Sequence, residues 1–303
     1  MNSLDWIAVD WGTSHLRVWA ILDGRVVAHA QSDRGMGILS RPQYEQALLD
    51  LVHDWLPDAD TTLVVACGMI GSRQGWVEAP YRAVPCMPLG TTLAHAPTVD
   101  KRLNVVVISG LKQSMPADVM RGEETQIAGF LALNPGWDGV ICLPGTHSKW
   151  VHISADEVVS FQTYLTGELF QILSDHSILR HGMAGWDEAG FADGLAQGLE
   201  RPERLLSRLF SLRAEGLLHD LAPATARARL SGMLIGAEVA AAKPYWLGQR
   251  VAVLGDSALA DLYARALASF SVPVTRHDVA DATLAGLSAA RAAYLKQDQP
   301  CEN

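Results

Sequence analysis

The sequence contains the same strand–turn–strand pattern twice, and this repeat limits the folds open to the chain more than any other feature. The first copy, IAVDWGTSHLRVWAI, spans residues 7–21, and the second, GVICLPGTHSKWVHI, spans residues 139–153. In each copy two apolar runs flank a short polar segment that contains Gly-Thr. The apolar runs predict paired β-strands, and the polar segments predict the turns that join them. The repeat therefore predicts two related halves, each opening with a β-meander.

Both halves continue with a mixture of strands and helices. In the first half we expect strands at 7–9, 16–22, 25–31, 62–66 and 104–108, and helices at 42–55 and 120–135. The second half reads as strands to 164, mainly helices over 166–242, and strand–helix–strand–helix to 295. Strand–helix alternation predicts parallel strands. We therefore predict an α/β protein with an N-terminal domain over 1–135, a C-terminal domain over 136–303, and a ligand cleft between the two.

Composition narrows the classes of partner. The chain has 303 residues, of which 49% are hydrophobic and 19% charged, as in a globular protein with a sizeable core. Its net charge of −9 disfavours nucleic acid as a partner. No apolar run approaches the roughly 18 residues of a membrane span, and no signal peptide is recognisable. We expect a cytoplasmic protein.

The cysteines support neither a zinc site nor a redox motif. Cys67, Cys86, Cys142 and Cys301 are widely spaced, without the close pairs that such sites use. Three of them lie in apolar or mixed surroundings, and we expect these to be reduced core thiols.

The first polar turn has the residue types of a phosphate-binding loop. Gly12 lacks a Cβ and lets a ligand approach the backbone, while Thr13 and Ser14 add hydroxyl donors. Asp10 ends its strand where a carboxylate can hold a hydrated Mg²⁺. The same residue types are common in ordinary turns, so this segment alone leaves both interpretations open.

The second turn favours the phosphate-binding interpretation, because it repeats the glycine–threonine pair as Gly145-Thr146 and adds Lys149. Two such turns, one in each half, can hold a polyphosphate from both sides. Neither turn is a Walker loop or a dinucleotide-binding fingerprint. Gly255 lies between a predicted strand and a predicted helix, and we expect it near an adenosine, although such glycines are common in α/β proteins.

Two further motifs combine acids with possible ligand contacts. Glu123 and Glu124 open a predicted helix, where they either stabilise its dipole or supply a general base, with Arg121 pairing an anionic group. In TGEL, Thr166 either caps a helix or binds sugar hydroxyls together with Glu168. Both alternatives stay open for both motifs.

Several motifs together resemble those of the 2-keto-3-deoxygalactonate kinase family, within the actin/Hsp70/sugar-kinase superfamily. They are DWGTSHLRVW, MRGEETQ, PGTHSKWV, TGEL and LSGMLIGAEVA, in the order of the family, and GMIGSRQGWVEAPY at 68–81 also fits. The similarity runs from Ile7 to the region of Leu295. It implies two ribonuclease-H-like domains, each a mixed sheet flanked by helices, with the active-site cleft between them.

The resemblance also implies an activity, ATP-dependent phosphorylation of the C6 hydroxyl of 2-keto-3-deoxygalactonate in galactonate breakdown, with Mg²⁺. It assigns Asp10 to the metal and Gly255 to the adenosine side. The phosphates are assigned to Gly12, Thr13, Ser14, Gly145, Thr146 and Lys149.

Relatives place a catalytic Asp where this chain has Glu123-Glu124, so the resemblance leaves the base between these two. We favour Glu124, because Gln126 two residues on resembles the Asn that follows the catalytic Asp. The arginines implied for the anionic substrate are Arg17, Arg121 and Arg73, in no fixed order.

Other functions remain open at this stage. One is a kinase for another sugar acid, such as the gluconate epimer, and another is a non-catalytic ATP-binding switch of the same superfamily. We expect a small-molecule sugar acid as partner, with neither nucleic acid nor membrane, and a homodimer stays open.

Overall fold

The computed structural model describes residues 4–297, in which the chain forms two compact units. The first unit contains the chain up to Trp137, Ser154–Ser160 and the chain from Val279 onwards. The second contains Asp138–Ile153 and Phe161–Asp278. Both units combine a mixed sheet with helices, so the predicted α/β class is confirmed.

The strands and helices follow one another along the chain with few long loops. The strands are β1 Trp6–Trp11, β2 Leu16–Leu22, β3 Arg25–Ser32, β4 Thr62–Gly68, β5 Arg82–Ala83, β6 Ala94–His95, β7 Leu103–Val107, β8 Leu111–Ser114, β9 Ala117–Met120, β10 Gly139–Leu143, β11 Ser148–Ser154, β12 Glu157–Tyr164, β13 Val251–Gly255 and β14 Val274–Asp278. The helices are α1 Tyr44–Val52, α2 Glu123–Leu133, α3 Thr166–Gln171, α4 Glu188–Glu200, α5 Leu205–Leu218, α6 Pro223–Ala241, α7 Lys243–Trp246, α8 Ser257–Ala268 and α9 Val279–Gln297.

The main sheet of the first unit has the strand order β3-β2-β1-β4-β7-β6. β1 pairs antiparallel with β2 and parallel with β4, and β4 pairs parallel with β7. Every residue of β1 is buried, as expected for a strand covered on both faces. This order brings the end of β1, where Asp10 lies, beside the end of β4.

The sheet of the second unit has the order β12-β11-β10-β13-β14. β10 is antiparallel to β11 and parallel to β13, and β13 is parallel to β14. The meander followed by a parallel strand repeats the arrangement of β2, β1 and β4. The two related halves predicted from the repeated sequence are therefore present.

The compact units do not coincide with a division of the chain at 135/136, because α9 groups with the first unit. The reason is a close contact between α2 and α9. A Cβ at Gly286 would overlap the carbonyl oxygen of Thr125, and one at Gly129 would overlap that of Ala282. Only glycine lets the two helix backbones approach so closely.

Two further observations concern the chain as a whole. Within residues 4–297, no helix combines the length and apolar character that crossing a membrane would require. Cys67 and Cys142 are buried, Cys86 is half-buried, and all three are free thiols. Cys301 lies outside the described residues.

Replacing Gly286 by alanine tests the contact between α2 and α9. The added methyl group must push the helices apart, and we expect Gly286→Ala to lower the free energy of unfolding by about 3 kcal/mol. Gly216→Ala is the matched control, since it lies in α5 with open space around it. That control should be neutral or stabilising by up to about 1 kcal/mol. Equal urea midpoints for the two variants would contradict the contact.

Candidate functional site

The first glycine turn, which joins β1 and β2, is held by a neighbouring glycine-rich segment. The amides of Gly35 and Gly37 donate to the carbonyl oxygens of Ser14 (3.2 Å) and Thr13 (2.9 Å). A Cβ at Gly35 would overlap the Thr13 carbonyl, so the segment packs directly on the turn. Within residues 4–297, the amides of Thr13 and Ser14 donate to no protein acceptor, and both residues are exposed. These amides and hydroxyls are thus available to an anion.

Asp10 lies at the end of β1 and is only 8% exposed. Its cross-strand partner Arg17 donates from Nη2 to Oδ2 at 2.5 Å, and the Cys67 thiol lies 3.7 Å from Oδ1. Burial raises the pKa of Asp10 above its ordinary value of 3.8, while Arg17 opposes the rise and the charge of Glu123 adds to it. Arg17, a predicted substrate ligand, is here the ion-pair partner of Asp10.

The two acids at the start of α2 have different environments. Glu124 is fully buried, and its two carboxyl oxygens accept from the Gly122 amide at 3.0 and 2.7 Å. The Thr125 hydroxyl donates to Oε1 at 3.1 Å. Burial, followed by the charge of Glu123, raises the pKa of Glu124 from 4.5 to about 8. Glu124 is therefore mainly protonated at neutral pH.

Glu123, in contrast, is half-buried. Its Oε2 accepts from the Arg121 amide at 3.0 Å, and its charge acts on Asp10. Gln126 lies three residues further along α2, is also half-buried, and shares this face of the helix. Of the two predicted bases, Glu123 is the one that a ligand can reach.

The side chain of Arg121 packs against the loop that follows β4, and the residue is 8% exposed. Its Nη2 donates to the Ala79 carbonyl at 2.7 Å, and its guanidinium lies 4.3 Å from the centre of the Tyr81 ring. In the part of the chain that the structure describes, its Nε and Nη1 have no hydrogen-bond partner. Arg73, in the same loop, is exposed and lies 3.6 Å from Glu78. Arg121 thus supports the loop, whereas Arg73 is accessible.

The second glycine turn joins β10 and β11, and the start of α3 packs against it. The Glu168 amide donates to the Thr146 carbonyl at 2.9 Å, and His147 Nε2 lies 2.6 Å from Glu168 Oε2. A Cβ at Gly167 would overlap the Gly145 carbonyl, so the TGEL motif needs its glycine at this contact. Thr166 and Glu168, predicted as sugar ligands, belong to the surroundings of this turn.

A cavity of about 530 Å³ lies beside this turn, within the second unit. Gly145 and Thr166 form its wall near the turn, and Trp186 contributes an aromatic surface. Arg227 and Phe170 also line it, with the guanidinium 5.0 Å from the ring centre. Sequence reasoning missed these three side chains, because they come from separate elements and share no motif.

The remaining predicted residues border this region. Gly255 is buried at the end of β13, and the next residue, Asp256, lines the cavity and accepts from the Leu259 amide at 3.0 Å to cap α8. Lys149 is buried on β11. Gly255, which we expected near an adenosine, is thus one residue away from the cavity wall.

No group of three or more His, Cys, Asp or Glu side chains within residues 4–297 is arranged to hold a metal ion. Mg²⁺ in nucleotide enzymes is usually held by one or two carboxylates together with waters and phosphate oxygens. The lone carboxylate of Asp10 at the end of a strand fits this kind of site and not an all-protein cage.

The two sheets define an actin-like ATPase fold. The structure is similar to that of the activator of the 2-hydroxyisocaproyl-CoA dehydratase from Clostridium difficile, with a TM-score of 0.54, 12% identity and 98% of each chain covered. At this identity the similarity concerns the fold alone. The predicted fold class is confirmed.

The chain belongs to the 2-keto-3-deoxy-galactonokinase family, whose sequence model matches residues 10–290. A candidate 2-dehydro-3-deoxygalactonokinase of Rhizobium meliloti (strain 1021) is 39% identical, with 93% of this chain and 95% of the relative covered. The 2-dehydro-3-deoxygalactonokinase of Escherichia coli (strain K12) is 34% identical, with 89% and 91% covered. The predicted family is confirmed, and the chain is a sugar-acid kinase, a phosphotransferase with an alcohol acceptor.

A solved structure of the same family agrees with the fold throughout. The crystal structure of a candidate 2-dehydro-3-deoxygalactonokinase from Sinorhizobium meliloti superposes with a TM-score of 0.88 at 38% identity. It covers 98% of this chain and 99% of its own.

The raised pKa of Glu124 predicts how stability depends on pH. A buried acid that stays protonated up to a pKa of about 8 costs stability as the pH rises from 4.5, because the unfolded chain loses that proton first. The glutamine of Glu124→Gln cannot titrate. The free energy of unfolding of this variant, relative to that of the wild type, should therefore rise by about 2–4 kcal/mol between pH 5 and 8. Above pH 8 the difference should level off. Urea unfolding across this range measures it.

Glu157→Gln, which changes an exposed acid in the same unit, is the control and should follow the wild type at every pH. A Glu124→Gln profile parallel to the wild type would show that Glu124 ionises normally.

Proposed function

We propose that the protein transfers the γ-phosphoryl group of ATP to the C6 hydroxyl of 2-keto-3-deoxygalactonate, a step of galactonate breakdown. The observation that carries this proposal is the family match over residues 10–290, which includes both glycine turns and the start of α2. The Escherichia coli relative, named for this activity, supports the same substrate. A cytoplasmic location follows from the proposal, since ATP is the donor.

We assign the nucleotide to the second unit, where a cavity adjoins a glycine turn. An adenosine fits the size of the cavity, since sites for such ligands measure about 300–1,000 Å³. Trp186 offers a surface on which a base can stack, and Asp256 offers a carboxylate to ribose hydroxyls. Gly145 and Thr146 supply backbone and hydroxyl contacts for phosphate oxygens. Thr166 and Glu168 then act by shaping this turn.

We assign the first turn to phosphate oxygens and Asp10 to Mg²⁺. The exposed amides and hydroxyls of Thr13 and Ser14 support the first assignment. Burial raises the pKa of Asp10, and the ion pair with Arg17 opposes that rise and so favours the charged form that a metal ion needs. When bound, the metal ion neutralises phosphate charge in the transition state.

We propose Glu123 as the general base, in place of the preferred sequence candidate Glu124. Glu123 is accessible and acts on Asp10, whereas Glu124 is buried and protonated at neutral pH. In the reaction Glu123 takes the proton of the C6 hydroxyl. The C6 oxygen bonds to the γ-phosphorus at the same time, and ADP leaves. Gln126, on the same face of α2, donates to a neighbouring substrate oxygen.

The carboxylate of the substrate needs a cation, and we propose Arg73. Of the three candidate arginines, Arg17 pairs with Asp10 and Arg121 is buried under Tyr81. Arg73 is accessible and lies in the loop after β4, and ligands of α/β sheets bind beyond the carboxyl ends of parallel strands.

Coupled ADP release with Mg·ATP tests the proposed function. The substrates are 2-keto-3-deoxygalactonate, its gluconate epimer and galactonate, with a blank that contains no sugar acid. We expect turnover with the first compound and little with the blank. Faster turnover with the epimer would reassign the substrate, and no stimulation by any sugar acid would leave an ATP-binding switch as the better account.

Exchange of single acids tests the choice of base. Glu123→Gln should lower kcat by about 10²–10⁴-fold, because general-base catalysis contributes that much. Glu124→Gln should stay within about tenfold of the wild type at pH 7, since the side chain is already protonated there, and Glu157→Gln should match the wild type. A larger loss for Glu124→Gln than for Glu123→Gln would return the role to Glu124.

A further inference from the structure

A buried carboxylate in the second unit has no part in the proposed chemistry. Glu238 lies on α6 and is 3% exposed. Its Oε1 accepts from Trp150 Nε1 at 2.8 Å, and its Oε2 accepts from the Tyr263 hydroxyl at 2.6 Å. The Thr166 hydroxyl also hydrogen-bonds to this carboxylate. One acid thus joins four elements, α6, β11, α8 and α3.

Two of the partners of Glu238 shape the candidate nucleotide site. Thr166 and Tyr263 line the cavity. Ser148, the first residue of β11 after the second turn, lies with its hydroxyl 2.8 Å from that of Tyr263. Hydrogen bonds therefore run from the end of the turn through Tyr263 to Glu238, and from Glu238 to the start of α3.

A carboxylate is a costly choice for this position if packing alone is needed. Burial raises the pKa of Glu238, and apolar side chains of similar volume often serve a core equally well. A carboxylate can, however, orient its neighbours, because its two oxygens accept hydrogen bonds from several donor side chains at once. Burial, followed by the charge of Glu238, raises the pKa of Tyr164 on β12 and of Cys142 on β10.

We propose that Glu238 is the positioning residue of the nucleotide site, which holds Tyr263, Thr166 and the second turn in the geometry that binds ATP. This inference rests on the proposed function, since it takes ATP as the occupant of the cavity. Glu238 touches no ligand itself and acts through Thr166 and Tyr263.

The test compares affinity for ATP with affinity for the sugar acid. In Glu238→Gln one acceptor oxygen becomes an amide donor, while the other can still accept from Trp150. Tyr263 can then no longer donate to that position and must turn its hydroxyl hydrogen toward Ser148, which changes the direction of the hydrogen bonds that reach the second turn. We expect the Kd and KM for Mg·ATP to rise about tenfold, with the KM for the sugar acid within about twofold of the wild type. Titration calorimetry measures the Kd, and coupled ADP release measures the two KM values.

A second variant keeps the test independent of folding. Tyr263→Phe retains the ring and removes only the hydroxyl that links Ser148 to Glu238. It should raise the KM for ATP in the same direction, and the double variant should be no worse than Glu238→Gln alone, because the two groups act as one unit. Glu200→Gln, an exposed acid at the end of α4, is the matched control.

The outcomes are distinct. If wild-type protein fails to bind Mg·ATP, the proposed function fails. If the wild type binds but Glu238→Gln and Tyr263→Phe lose only thermal stability, with both KM values unchanged, Glu238 is a core residue and the inference is wrong.

Discussion

Backbone-to-backbone contacts that only glycine permits shape both units around their candidate sites. Gly35 lies against the first turn, and Gly167 lies against the second. Gly286 brings α9 onto α2, the helix that carries the acids. A side chain at any of these positions would overlap a carbonyl oxygen, so the geometry of turns and helix ends depends on them.

The acidic residues of the candidate sites differ in how deeply they are buried. Asp10, Glu124 and Glu238 are buried, and burial raises the pKa of each, but each has a different compensation. Asp10 has an arginine, Glu124 is protonated, and Glu238 has several hydrogen-bond donors. Glu123 is the accessible acid among the candidates. Glu123 and Glu124 are adjacent in the sequence but can have different roles, because the helix places their side chains in different surroundings.

Much of this architecture could be predicted from the sequence. The repeated apolar runs predicted β1, β2, β10 and β11, since alternation and turn residues report directly on strand pairing. The short strands β5, β6, β8 and β9 were missed, as pieces of two to four residues carry too little pattern.

The predicted site residues were harder to place, because local sequence does not say what a motif packs against. The residues of TGEL do not indicate that this motif contacts the second turn, and nothing in the sequence near Glu124 distinguishes it from its half-buried neighbour Glu123. Arg17 and Arg121 looked equivalent as anion ligands until their partners, Asp10 and Tyr81, were known. The packing of α9 on α2 depends on two glycines more than 150 residues apart.

The position at which the phosphoryl group is attached to 2-keto-3-deoxygalactonate can be determined in the product itself. Proton-coupled ³¹P NMR of the product formed from this sugar acid and Mg·ATP is the experiment to make. Transfer to the primary hydroxyl gives a phosphomonoester whose phosphorus couples to both protons of C6. Coupling to a single proton, as at C4 or C5, or the appearance of inorganic phosphate alone, would contradict it.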